Sequence, residues 1–92
     1  MVSTPSDGAI THRVTLYHAE GCHLCQRATE VVREAQELEP FTLELVDIGG
    51  IEALEAAFRE HLPVIEIDGE RAFTYFVSVD RLLDRLRRDG SL

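Results

Sequence analysis

Apolar residues recur at Leu24, Ala28, Val31, Val32, Ala35 and Leu38, in steps of four, three, one, three and three. That spacing predicts one buried stripe of an amphipathic helix beginning near Cys22. Arg33 and Glu37, four apart, fall on its wet face, and Pro40 stops it. Before it, Arg13–His18 is short and rich in β-formers, with Val14 and Leu16 on one side and Thr15 and Tyr17 on the other. After it, Phe41, Leu43 and Leu45 alternate with Thr42 and Glu44, which predicts a second strand. Gly49-Gly50 turns into a second helix with Ile51, Leu54, Ala57 and Phe58 inward and a Glu55–Arg59 surface pair. Pro63 ends that segment, and Val64–Ile67 reads as a third strand. Asp68-Gly69 is a hairpin signal returning the chain as a fourth strand over Arg71–Val77. Ser78 then caps a last helix with Val79, Leu82, Leu83 and Leu86 on one face, arginines in its final turn and Gly90 at its end.

The resulting order, β-α-β-α-β-β-α, predicts an α/β fold. The first two strands are parallel through a right-handed crossover, the last two form a hairpin, and helices lie on both faces of one sheet. Central strands should therefore be apolar on both sides. Residues 1–11, rich in Ser, Thr, Pro, Asp and Gly without a period, read as a flexible tail, and residues 12–92 as a single domain. A length of 92 residues leaves room for no second domain.

Composition narrows the function. Seventeen acids against nine bases give a formal charge of −8, which argues against nucleic-acid binding. Every base is arginine, so chemistry that needs a lysine is excluded. No apolar stretch approaches the ~20 residues of a membrane helix. The opening residues lack a secretory pattern, so a cytoplasmic location, a reducing environment and no membrane partner are expected.

In such a setting two cysteines three apart call for an explanation. Cys22-His23-Leu24-Cys25 lies where the first strand turns into the first helix, and C-x-x-C beside a βαβ pattern is a redox signature. Residues three apart on a helix's first turn face the same side, so the two sulfurs can reach bonding distance. Unpaired N–H groups and the positive end of the dipole favour a thiolate at the exposed first position. Cys22 is thus the candidate nucleophile, with a pKa expected below the free value, and Cys25 the resolving thiol. His23, between them, either stabilises the Cys22 thiolate as a cation or merely faces solvent. No metal is expected: two cysteines cannot make a four-cysteine site, and His12, His18, His23 and His61 lack zinc-ligand spacing. His18 and His61 read as structural, His12 as part of the tail or next to it. Tyr17 and Phe58 read as core more than as a rim. Pro63 admits two readings, a helix stop or a cis bond, and the neighbourhood of the cysteines favours the cis bond. That bond would turn the Leu62 backbone outward as an edge to which a peptide or thiol substrate could hydrogen-bond.

With these residues in place, LYHAEGCHLC (16–25), LVD (45–47) and LPVIEIDG (62–69), in this element order, resemble the thioredoxin superfamily and most of all its small glutaredoxin-like proteins. The similarity runs from about Arg13 to Arg88. It implies a thioredoxin fold with sheet order 2-1-3-4, a nucleophilic Cys22, a resolving Cys25 and a cis Pro63 facing them. Glutathione-using members resemble C-P-Y-C, carry a basic residue before the first cysteine, and have Gly-Gly and an acidic pair after the last strand. Here His23-Leu24, Ala19-Glu20 and Thr74-Tyr75-Phe76-Val77-Ser78-Val79-Asp80 stand in those places. Of such a site the resemblance leaves Leu62, Ser78 and Asp80 as binding candidates.

The expected function is thiol–disulfide exchange on a disulfide-bearing protein or small-thiol substrate by a monomer. No bound cofactor is expected, and electrons are expected from glutathione, another low-molecular-weight thiol or a reductase. The alternatives are a thioredoxin-fold binding module with a redox-sensing cysteine pair, and a weaker one, an iron–sulfur carrier bridging two chains with an external thiol.

Overall fold

The computed structural model describes residues 12–89, so the tail expected over 1–11 and the helix end expected at Gly90 lie outside the described residues. The observed order is β1 (Arg13–His18), α1 (His23–Leu38), β2 (Thr42–Asp47), α2 (Glu52–Phe58), a 3₁₀ turn (Arg59–His61), β3 (Val64–Ile67), β4 (Glu70–Thr74) and α3 (Val79–Asp89). The strands form one mixed sheet in the order β2-β1-β3-β4. β1 and β2 run parallel, with Val14 opposite Leu43, while β1–β3 and β3–β4 are antiparallel. This is the expected thioredoxin fold.

Alternation along β1 and β3 decides which helix covers which face. Val14, Leu16, Ile65 and Ile67 point one way and pack with Ala28, Val32 and Ala35 of α1 and Leu82, Leu83 and Leu86 of α3. Tyr17 and Val64 point the other way and meet Leu54 and Phe58 of α2. The Tyr17 ring stacks on Phe58 at 4.3 Å, and the Arg71 guanidinium lies over Phe58 at 5.5 Å. Both aromatics thus serve packing. The expectation that both faces of the central strands are apolar holds only beneath α2. That helix has seven residues, too few to cover the sheet, and beyond it Thr15, Glu44 and Glu66 line an open hollow.

Several predicted positions move. Cys25, not Leu24, starts the inward stripe of α1, which runs Cys25, Ala28, Val32, Ala35. A thiol behaves as a small apolar group, so the cysteine takes the core position and turns Leu24 outward. Val31 is half-buried and Leu38, in the last turn, is 61% exposed. Leu45 is exposed because β2 is an edge strand, and Ile51 and Ala57 are exposed because α2 covers so little. The fourth strand stops at Thr74, short of Val77, because Tyr75 adopts φ 66 and leaves the extended region. The Asp68-Gly69 turn has φ 54 and 88, both positive as a two-residue hairpin of this hand requires. Glu55 and Arg59 pair at 3.0 Å, and Ser78 caps α3 by accepting the Arg81 N–H at 3.2 Å.

Candidate active site

Gly21, at φ 81, makes the sharp turn out of β1 that brings Cys22 to the start of α1. Cys22 is the N-cap. Its sulfur accepts the Cys25 N–H at 3.1 Å, so one of the helix's unpaired donors points directly at the reactive atom. Cys22 is half-buried and Cys25 only 2% exposed. Their Cα atoms are 5.2 Å apart and the two sulfurs are joined as a disulfide. The first turn of α1 contains no acidic residue to oppose a thiolate.

The Leu62–Pro63 bond is cis, as the resemblance implied. On either side of Pro63, Leu62 and Val64 are buried in the cluster that holds Cys25, with Cys22 packed against it. The cysteine turn and the Pro63 loop therefore meet at one end of the sheet. His23, the first residue of α1, is exposed, and so is Leu24. Ser78 is exposed and its hydroxyl is engaged in capping α3, while Asp80 is exposed in the first turn of that helix. A cleft of about 340 Å³ reaches Cys25 past His18, Glu20, Thr29 and Asp47. Its lining contains neither Leu62 nor Pro63.

Three features escaped the sequence reading. His12 is buried, and its Nδ1 meets Asp68 Oδ2 at 2.6 Å while Asp68 Oδ1 accepts the Arg13 N–H at 2.9 Å. Partial burial pushes the Asp68 carboxyl up, but the Arg13 N–H and the His12 ring outweigh it and hold it below its ordinary value. Tyr17 donates to Glu66 at 3.3 Å; burial first, then the Glu66 and Glu44 carboxylates, raises its pKa and keeps it a neutral donor. The third is the turn after β4. Phe76 N–H donates to the Thr74 carbonyl at 2.7 Å across Tyr75, a three-residue turn of the rarer, strained hand. The first two contacts join residues 56 and 49 positions apart, beyond the reach of local pattern. The only local hint of the third was a missing glycine where the chain had to turn.

Residues 13–87 match the family described as glutaredoxin-like domain (DUF836). A crystal structure of a protein from X. campestris is 29% identical with a TM-score of 0.70, covering 86% of this chain and 99% of that one. A solution structure of a protein from Nitrosomonas europaea is 25% identical with a TM-score of 0.71, covering 92% and 98%. Thioredoxin-2, described as a component of the malaria parasite protein secretion machinery, shares the fold at 22% identity and a TM-score of 0.69, covering 85% and 82%. No curated protein matches the sequence.

Proposed function

Because the chain belongs to the glutaredoxin-like domain family, we propose that it is a thiol–disulfide oxidoreductase working through Cys22 and Cys25. One observation carries the reading: a half-buried sulfur at a helix N-cap faces a backbone N–H and is bonded to a buried sulfur one turn on. In the reduced protein, that N–H and the helix dipole stabilise a Cys22 thiolate. The thiolate attacks a substrate disulfide R–S–S–R′, forming the Cys22–S–R bond and releasing R′–S⁻, which takes a proton. The Cys25 thiol then gives up its proton and attacks the Cys22 sulfur. The Cys22–Cys25 bond forms and R–S⁻ leaves, taking up the second proton. Substrate gains two electrons and two protons, and the protein is left as the disulfide seen here. A low-molecular-weight thiol such as glutathione restores the dithiol by the same exchange in reverse.

The test is reduction of a mixed disulfide, with Cys22→Ser and Cys25→Ser beside the wild type. The wild type should turn over, and Cys25→Ser should accumulate a mixed disulfide on Cys22. Cys22→Ser should be inert. If Cys22→Ser is the variant that traps substrate, the two roles are reversed. No turnover with any thiol donor removes the enzyme reading.

A further inference from the structure

The turn that ends β4 is built more firmly than a connection requires. Tyr75 sits at φ 66, a left-handed angle that a bulky residue rarely adopts. Three contacts hold it there. Its N–H donates to the Pro63 carbonyl at 3.0 Å, its Oη donates to the Glu60 carbonyl at 2.9 Å, and the same oxygen meets His61 Nδ1 at 3.2 Å. The turn is thereby fastened to the Pro63 loop, the segment that packs against both cysteines. The residue it presents is Phe76, which is 75% exposed. Leu24, between the cysteines, is also exposed. A strained non-glycine turn at the edge of a reactive site is where stored strain tends to serve binding.

Resting on the thiol–disulfide reading above, we infer that Phe76 is a substrate-anchoring residue and that the preferred substrate is a disulfide in a polypeptide with an apolar side chain beside the cysteine. An exposed phenyl ring gains on binding only by covering apolar surface. A small charged thiol such as glutathione offers no such surface. An extended peptide at the Pro63 loop offers alternating side chains, one of which can reach the ring.

The experiment compares wild type, Phe76→Ser and Phe76→Leu on insulin and on hydroxyethyl disulfide. The exposed position keeps either variant folded, which circular dichroism verifies. Phe76→Ser should lose roughly tenfold in kcat/KM on insulin, through KM with kcat unchanged, as loss of an interface aromatic does. Phe76→Leu should recover most of it, and neither change should alter reduction of hydroxyethyl disulfide. Equal kinetics of all three on insulin overturn the inference while leaving the oxidoreductase reading standing. So does a wild type that reduces hydroxyethyl disulfide but not insulin, or a dimer at assay concentration that Phe76→Ser dissociates. A wild type inactive on both substrates overturns the two together.

Discussion

At position 22 a cysteine occupies the place that Ser, Thr, Asp or Asn usually holds at a helix start, and its sulfur accepts the N–H that their oxygens would accept. The sequence showed this because C-x-x-C spacing and the strand-to-helix switch are both local. The exchange of Leu24 for Cys25 on the inward stripe was hidden, because a thiol counts as polar chemistry in a motif and as apolar bulk in a core. His12–Asp68 was hidden for a different reason: nothing near His12 announces a partner in a distant hairpin. That pair carries a pH prediction. A carboxyl held below its unfolded value of about 3.9 adds stability that is fully present above that value and lost as pH falls through the folded one. Urea midpoints between roughly pH 3 and pH 7 should therefore fall more steeply on acidification in the wild type than in Asp68→Asn, a change the turn's positive φ tolerates. Parallel curves would show that the carboxylate contributes nothing.

Among the elements, α1 and α3 were legible as periods and caps, whereas the end of β4 was not. Ser78 was read as a cap from residue type alone and accepts the Arg81 N–H as expected. Ser78→Ala should cost about 1 kcal/mol and lower the melting temperature, and an unchanged melting temperature would mean that water replaces the hydroxyl at no loss. The alternation of Arg71–Val77 suggested a longer strand because alternation cannot register a backbone reversal. Tyr75 at φ 66 costs on the order of 1–3 kcal/mol, and its anchors to Pro63 and Glu60 offset that cost from outside the strand. Likewise, the apolar residues of α2 suggested a wider inward face than its seven residues bury.

For the molecule as a whole, the two faces of the sheet are unequal. The main apolar core lies under α1 and α3, and α2 covers only the end that carries the cysteines and Pro63. Leu82, fully buried where α3 meets that core, should cost about 2–5 kcal/mol when replaced by alanine. Denaturation should show that loss with the reactivity of Cys22 retained below the midpoint, since Leu82 and the cysteines belong to separate clusters. No helix among the described residues is long and apolar enough to cross a membrane. Element order and the cysteine pair could be read from the sequence because each follows from local periods and spacing, whereas the sheet order came from the resemblance. The hollow beyond α2 and the Tyr75 turn could not, because they arise from how elements meet. The most direct test of the account is the rate of iodoacetamide alkylation of the reduced protein against pH, with the modified residue identified by mass spectrometry. Cys22 should react first, with a midpoint below the free-thiol value of about 8.5, and Cys25 should stay protected. First reaction at Cys25, or a Cys22 midpoint at or above the free value, would contradict it.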